Sequence, residues 1–134
     1  MSTTQSVLEH HLQCFGSGDL EGILSDYTPT SVLMTPQGIM RGVSQIRTFF
    51  DTAFAEFGQP GTTFEMKNVL VDGDCAFIFW DAETPDNRYE AATDTFVIRD
   101  GRIVVQTFAA KVTPKARERA AAGEGRQRQT QGVS

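Results

Sequence analysis

The sequence predicts an α+β fold, with helices in the first part of the chain and an antiparallel sheet in the second. Apolar residues recur at helical spacing as far as residue 57. After residue 61, β-rich runs alternate with the dipeptides Asp72-Gly73 and Asp100-Gly101, which suit two-residue hairpin turns. The chain has 134 residues, enough for one domain with its own core. We predict a domain over residues 1–113 and a polar, basic tail over 114–134, either a frayed helix or a disordered end.

Two helices open the chain. The first is predicted over residues 4–15 and ends at Gly16-Ser17-Gly18, because glycine can take the left-handed position after a helix. Asp19 then caps a second helix, predicted over residues 20–27 and ended by Thr28-Pro29. One face of the first helix carries residues at 3.6-residue spacing: Val7, Leu8, His11, Leu12 and Phe15.

A long third helix is predicted over residues 43–57, after two short strands at 31–34 and 39–41. Gly58 and Pro60-Gly61 close it. Its apolar stripe is the clearest in the chain, and four aromatic residues on one face predict that it lies on a broad apolar surface. The stripe consists of Ile46, Phe49, Phe50, Ala53, Phe54 and Phe57.

Four β-strands complete the domain as a meander of hairpins. We predict them over residues 62–71, 75–84, 89–99 and 102–112. In the third of these strands, Asp94 shares the parity of Phe96 and Ile98, so a core-facing strand also turns this carboxylate inward. The alternative is an outward Asp94 that pairs across the strand.

Composition excludes several function classes. The first 110 residues hold fifteen acidic and six basic side chains, and this acidic body argues against nucleic acid as the ligand. No apolar run approaches the ~20 residues of a membrane span, and the first residues do not resemble a signal peptide. Two cysteines, Cys14 and Cys75, are interpreted as reduced, buried thiols, so a cytoplasmic location is expected.

The sequence predicts neither a metal site nor a cofactor. His10 and His11 are adjacent on a helix and diverge by ~100°, so they cannot both face one ion. No glycine-rich phosphate loop is present. Cys14 has no identifiable base beside it in the sequence, which leaves nucleophilic catalysis without support.

Three stretches, in this order and spacing, carry a family resemblance: GDLEGILSDYTPTSVLMTPQGIMRG (18–42), GVSQIRTFF (42–50) and DTFVIRDGRIVVQTF (94–108). Together they resemble the nuclear transport factor 2-like superfamily, which includes ketosteroid isomerases and SnoaL-like polyketide cyclases. The resemblance implies a cone-shaped, strongly curved, mostly antiparallel sheet wrapped around the long helix. It also implies an apolar pocket at the open end and a homodimer formed through the outer face of the sheet. This fold hosts enzymes, binding modules and scaffolds alike, so it does not specify an activity.

The resemblance to ketosteroid isomerases assigns positions residue by residue, with a mixed result. The oxyanion-hole tyrosine of that family corresponds to His11, and the tyrosine that supports it corresponds to Phe50. The protonated oxyanion-hole aspartate corresponds to Asp94, whereas the general-base aspartate corresponds to Thr35. Because a carboxylate is absent at Thr35, steroid isomerisation by that mechanism is not expected.

The resemblance also implies which side chains form the pocket. In the strand over residues 75–84, either Trp80 faces inward with Ile78, or Phe79 does with Phe77. We favour Trp80 inward, since Asp81 then reaches solvent and the two phenylalanines are left for a dimer contact; the ketosteroid isomerase alignment favours the opposite phase. The predicted ligand-binding residues are Tyr27, Met34, Phe50, Phe54, Trp80, Gln106 and Phe108, with plain core packing as the alternative for Met34, Phe50 and Phe54.

These positions predict a pocket protein that binds a small apolar ligand. One interpretation is an acid–base enzyme, isomerase- or cyclase-like, acting on a carbonyl-bearing ligand. In it, a neutral Asp94 donates a hydrogen bond to the developing oxyanion and His11 shuttles a proton. The alternative is a non-catalytic dimeric ligand-binding or scaffold module in which Asp94 and a buried, neutral His11 satisfy other protein groups and reach no open cavity.

Overall fold

The computed structural model describes residues 3–116. Within them the chain forms three helices and six strands, which confirms the predicted α+β class. The helices are α1 (Thr4–Ser17), α2 (Leu20–Leu24) and α3 (Gly42–Phe57). The strands are β1 (Tyr27–Thr35), β2 (Gly38–Arg41), β3 (Thr63–Asp72), β4 (Cys75–Glu83), β5 (Asn87–Arg99) and β6 (Arg102–Pro114).

The six strands form one curved sheet in the order β2-β1-β6-β5-β4-β3. All neighbouring strands are antiparallel except β1 and β6, which run parallel. Register shifts interrupt the β1–β6, β3–β4, β4–β5 and β5–β6 pairs. Such irregularities bend and twist strands, which is how a sheet of this width comes to wrap around a helix. The predicted cone-shaped, mostly antiparallel sheet is confirmed.

The core lies between the inner face of this sheet and the helices. Alternate residues of β5 and β4 are buried, and the intervening ones are more exposed, as a sheet with one covered face requires. On α3, Ile46 and Phe50 are fully buried, and Phe49, Phe54 and Phe57 pack against the core while staying partly accessible. The aromatic stripe therefore packs against the core along its length and keeps part of its surface accessible.

The second helix is shorter than its sequence pattern predicts. It ends at Leu24, and Tyr27 instead begins β1, so the Thr28-Pro29 pair lies within a strand. Strand pairing explains the difference, because the Ile103 amide donates to the Asp26 carbonyl at 2.7 Å. Tertiary contacts of this kind override local helix propensity. The first helix ends where glycine allows it, with Gly18 in the left-handed region at φ 70°.

The two cysteines differ in their surroundings. Cys14 on α1 is buried, whereas Cys75 at the start of β4 is exposed, so the expectation of two buried thiols is wrong for Cys75. Cys75 pairs with Val97 on the outer face of the sheet, and the buried positions of β4 begin with Ala76. The predicted tail lies outside the described residues from residue 117 onward. Within residues 3–116, no helix is both long and apolar enough to cross a membrane.

Candidate functional site

Helix α3 and the inner face of the sheet enclose a cavity of about 620 Å³. This volume falls within the range typical of small-molecule sites. The wall is mostly apolar, and two groups of hydrogen-bonded polar side chains reach it, one around Asp94 and one around Glu56. The large apolar side chains of the wall are Leu12, Phe15, Met40, Phe49, Phe50, Phe57, Phe64, Ile78, Trp80 and Phe108.

Asp94 lies at the wall of this cavity and is 7% exposed. Its strand neighbours are Ile78 on β4 and Phe108 on β6, which places the next inward residues of those strands, Trp80 and Gln106, on either side of the carboxylate. The Trp80 indole N–H donates to Oδ1 at 2.9 Å, and the Gln106 amide donates to Oδ2 at 2.9 Å. Burial raises the pKa of Asp94 to about 6, although both hydrogen bonds act to lower it.

A chain of hydrogen-bonding groups continues from Asp94 to α1. Tyr27 Oη donates to Gln106 Oε1, and the same Oη lies 3.5 Å from Nδ1 of His11. We call His11, Tyr27, Gln106 and Asp94 the polar relay. Its members come from α1, β1, β6 and β5, so the folded sheet assembles the relay from distant parts of the chain. Burial, followed by the nearby Asp94, raises the pKa of Tyr27, and the phenol keeps its proton.

His11 is a buried, neutral imidazole at the far end of the relay. It is 4% exposed, and the rings of Phe50 and Phe96 meet it edge-on at centroid distances of 5.8 and 5.1 Å. Burial, with a smaller contribution from the neighbouring His10, lowers the pKa of His11 to about 3. At neutral pH this side chain therefore acts as a hydrogen-bonding group and carries no charge.

An aromatic stack forms the flat part of the cavity wall. Trp80 lies between Phe64, at a centroid distance of 5.1 Å and 26° between planes, and Phe108, at 5.9 Å and 18°. Trp80 faces inward in the phase that the sequence analysis favours, while Phe77 and Phe79 point to the outer face. Stacked rings of this kind offer a planar apolar surface to a ligand.

Glu56 organises the second polar group of the cavity. Its Oε1 accepts a hydrogen bond from Tyr89 Oη at 2.8 Å, and its Oε2 accepts from Thr84 Oγ1 at 2.7 Å and from Asn87 Nδ2 at 2.8 Å. Burial and the contact with Glu56 raise the pKa of Tyr89. The three donors lie at or near the β4–β5 turn, so this cluster fastens the end of α3 to the sheet.

The comparison with protein families identifies the kind of domain to which this cavity belongs. A family model described as SnoaL-like domain matches residues 8–106. The chain belongs to the SnoaL-like family. This confirms membership of the nuclear transport factor 2-like superfamily, as the sequence suggested. Among curated proteins, none matches this sequence.

Several crystal structures share the SnoaL-like fold with this chain. A nuclear transport factor 2-like protein of unknown function from Cytophaga hutchinsonii has a TM-score of 0.68 at 10% identity, over 83% of this chain and 92% of the other. A candidate ketosteroid isomerase from Kribbella flavida has a TM-score of 0.66 at 15% sequence identity, over 81% of this chain and 77% of the other. A candidate polyketide cyclase from Sinorhizobium meliloti has a TM-score of 0.64 at 21% sequence identity, over 76% of this chain and 92% of the other. At these identities the similarity shows the fold alone.

Most predicted site residues of this SnoaL-like chain line the cavity, and three do not. Tyr27 is buried behind the wall as part of the relay, and Phe54 packs against Phe15 and Phe50. Met34 points outward, because it pairs with Thr107 on the outer face, and its neighbour Leu33 is the buried residue. The predicted residues at the wall are His11, Phe50, Trp80, Asp94, Gln106 and Phe108. Thr35 also lies there, so the cavity has no carboxylate at that position.

A second stripe on α3, made of polar residues, lines the cavity and was not predicted. Gln45, Thr48, Thr52 and Glu56 all line the cavity, at spacings of three and four residues. That spacing was a usable signal, because it places polar side chains on one face beside the aromatic stripe. Tyr89, also overlooked, becomes meaningful only through its contact with Glu56, which spans 33 residues of sequence.

Cys14 has a base beside it after all, at a site away from the cavity. His10 Nε2 lies 3.5 Å from Cys14 Sγ, and His10 Nδ1 lies 2.7 Å from Asp26 Oδ2. The spacing of four residues on α1 explains the contact that the sequence analysis missed. Burial, with the nearby Asp19 and Asp26, raises the pKa of the Cys14 thiol, which disfavours the reactive thiolate. Within residues 3–116, no group of three His, Cys, Asp or Glu side chains could hold a metal ion.

Proposed function

We propose that the cavity binds a small apolar ligand with a carbonyl group, and that Asp94 transfers a proton on this ligand. The observation that carries the proposal is a carboxylate at the wall of an open apolar cavity, with its pKa raised by burial to about 6. A general base is most effective when its pKa lies near the working pH. At pH 7 most Asp94 side chains are ionised and can accept a proton, and the protonated form is accessible for its return.

The reaction class that fits is proton abstraction next to a carbonyl. The C–H bond breaks, the proton forms an O–H bond on Asp94, and the electron pair moves toward the carbonyl oxygen. Return of the proton at another atom gives an isomer, or attack by the new carbanion closes a ring. Two N–H donors on Asp94 favour its carboxylate, so we assign it the role of base in place of the neutral donor expected from sequence. A neutral His11 then serves as a hydrogen-bonding partner.

Isotope exchange with a simple ketone tests this proposal. We choose 2-tetralone, which is apolar, planar over most of its area and acidic next to its carbonyl. Binding is expected to change the fluorescence of Trp80, the chain's one tryptophan, which lines the cavity. In D₂O the protein is expected to speed exchange of the acidic C–H protons, followed by NMR. Asp94→Asn should lower this acceleration by ~100-fold or more, the usual contribution of a general base.

The control variant is Asp51→Asn, which removes an exposed carboxylate of α3 that does not line the cavity. It should leave both binding and exchange unchanged. Equal exchange rates for the wild type and Asp94→Asn would refute the assignment of the base. Binding without any acceleration would leave a non-catalytic ligand-binding module, the alternative function. That alternative is supported by the relay, in which Asp94 and one nitrogen of His11 already contact other protein groups.

We also propose that the partner of this chain is a second copy, bound through the outer face of the sheet. A row of paired residues without charge crosses all six strands there: Ile39, Met34, Thr107, Thr95, Phe77 and Leu70. Ile39, Met34 and Leu70 are 52, 38 and 54% exposed. The chain as a whole is acidic, with a net charge of −5, so two copies can approach each other most easily through an uncharged face.

A further inference from the structure

We infer that the polar relay presents hydrogen-bond acceptors to the cavity, so that the ligand is an apolar compound carrying a hydroxyl group at that end. The inference rests on the proposed function only in taking the cavity as the ligand site. It extends that function, because it names a second group on the ligand besides the carbonyl. The positions of the protons along the relay, from Asp94 to His11, decide which of its atoms accept hydrogen bonds.

Asp94 determines the orientation of the Gln106 amide. Its Nε2 lies 2.9 Å from Asp94 Oδ2, and a carboxylate oxygen can be met there only by a donor. The opposite orientation would set the amide oxygen against the carboxylate. Gln106 therefore turns its Oε1 toward Tyr27, as an acceptor.

The single phenol proton of Tyr27 has two candidate partners, Gln106 and His11. Tyr27 Oη makes a short contact with Gln106 Oε1 and a longer one, of 3.5 Å, with His11 Nδ1. Gln106 Oε1 has no proton to offer, so the phenol proton lies on this contact. The Tyr27 oxygen then faces His11 with a lone pair, which is a favourable arrangement only when His11 Nδ1 carries a hydrogen.

The direction of the Tyr27 hydroxyl determines the tautomer of His11. A neutral imidazole has one N–H, and here it lies on Nδ1, so Nε2 keeps a lone pair. Residues 3–116 provide no hydrogen-bond partner for Nε2, and His11 lines the cavity. Nε2 is therefore the ring nitrogen left for a ligand.

Two acceptors thus border the cavity at this end, namely His11 Nε2 and the Asp94 carboxylate. The indole N–H of Trp80 is already donated to Asp94, and Gln106 is only 1% exposed, so its amide serves the relay. A ligand hydroxyl can donate its one proton to either of these acceptors, whereas an oxyanion or a bare carbonyl oxygen has no proton to offer and meets lone pairs. The carbonyl of the same ligand fits better against Thr48 and Thr52, whose side chains can donate.

Nitrogen-15 NMR of the histidine rings tests the relay without any ligand. The chain contains two histidines, and His10 provides an internal reference on the same helix. For wild-type protein at pH 7.5 we expect the shifts of His11 to report protonated Nδ1 and bare Nε2. Tyr27→Phe should shift this tautomer balance for His11 and leave His10 unchanged. A wild-type His11 protonated on Nε2 would overturn the inference, and this result does not depend on the folding of the variant.

Calorimetry with two probes built on the same naphthalene ring tests the ligand class. At pH 7.5 we expect 2-naphthol, a hydroxyl donor, to bind about tenfold or more tightly than 2-acetylnaphthalene, an acceptor, because a hydrogen bond to a charged group contributes ~1.5–3 kcal/mol. Asp94→Asn should reduce this preference, and Asp51→Asn should preserve it. Equal affinities, or a preference for the ketone, would refute the hydroxyl assignment and leave the proposed function standing. Failure of both probes and of 2-tetralone to bind would refute both.

Discussion

At the scale of single residues, the structure explains how a carboxylate comes to lie in an apolar wall. Asp94 is kept there by donors on the two neighbouring strands, Trp80 and Gln106. Its inward direction followed from strand alternation in the sequence. Its hydrogen-bond partners could not be predicted in the same way, because they depend on the register of three strands that contain irregularities. The direction of a side chain is a local property, whereas a hydrogen-bond network is a property of the whole sheet.

The raised pKa of Asp94 predicts an unusual pH dependence of stability. Its folded pKa of about 6 lies above the ordinary 3.8, so the folded chain holds this proton more tightly than the unfolded chain does. The contribution of Asp94 to the free energy of unfolding therefore falls as pH rises between these two values. His11 acts oppositely, since its pKa is lowered from 6.5 to about 3. The two slopes offset each other in the wild type.

A variant separates the two contributions. Between pH 4 and 6.5, the free energy of unfolding of Asp94→Asn is expected to rise relative to wild type by about 2 kcal/mol, as ~1.4 kcal/mol per pKa unit implies for the part of the titration that falls in this range. Urea denaturation at several pH values measures this difference. Asp51→Asn, exposed on α3, should show no such rise. A flat difference for Asp94→Asn would mean that the carboxylate titrates normally in the folded chain.

At the scale of elements, α3 carries two functions on adjoining faces. Its aromatic stripe was predictable, because large apolar residues at helical spacing rarely face water. The polar stripe beside it was marked in the sequence only by its spacing, since Thr48, Thr52 and Glu56 have the composition of an ordinary solvent-facing surface. The second helix shows the reverse case. Residues 25–27 were predicted to continue α2, but the Asp26 carbonyl accepts from β6 and Tyr27 begins β1, which sequence pattern alone could not reveal.

Glu56 is expected to contribute strongly to the stability of the α3–sheet junction. Glu56→Ala removes the acceptor of three side-chain hydrogen bonds and leaves the proton of the buried Thr84 hydroxyl with only a 3.5 Å contact to the Asn87 carbonyl. We expect a loss of about 2–4 kcal/mol in the free energy of unfolding, the range for hydrogen bonds to a charged group with partial compensation by solvent. Chemical denaturation measures it. Asp51→Ala, on the same helix but exposed, should change stability by less than ~0.5 kcal/mol. Equal effects of the two substitutions would contradict the stabilising role of the Glu56 hydrogen bonds.

At the scale of the whole molecule, the sheet separates an inner face devoted to the cavity from an outer face without charge along its central row. The superfamily fold was predictable from the order of its elements, since each hairpin and helix has its own turn chemistry. The face of the sheet to which each side chain belongs was not predictable in every case. Met34 was placed inside, whereas its parallel pairing with Thr107 turns it outside. A parity error of one residue reverses a strand's contribution to both faces.

The outer face yields a prediction about assembly. Wild-type protein is expected to sediment as a dimer, and Leu70→Lys is expected to shift it toward monomer, because the variant buries a charge in the contact. Val112→Lys is the control for an added surface charge, as Val112 is exposed at 44% but is paired with Tyr89, whose side chain lines the cavity, and so lies on the other face of the sheet. Cys75 gives an independent signal. It is an exposed thiol on the outer face, so a thiol reagent should label it more slowly in the dimer than in Leu70→Lys.

If wild-type protein sediments as a monomer at every concentration and Cys75 reacts equally fast in all three proteins, the second-copy proposal is wrong. The cavity and its chemistry would be unaffected, because every relay residue belongs to one chain.

The place of β3 in the fold has a consequence for the range of molecules the cavity can admit. This strand is the last in the sheet and is bonded to β4 alone, yet it supplies Phe64, which is 46% exposed and covers one side of Trp80. An edge strand is held by hydrogen bonds on one side only, so the wall at Phe64 is expected to yield more easily than the central strands β5 and β6. Wider ligands are then expected to enter by outward displacement of β3, while Asp94 on β5 and Gln106 on β6 keep their spacing.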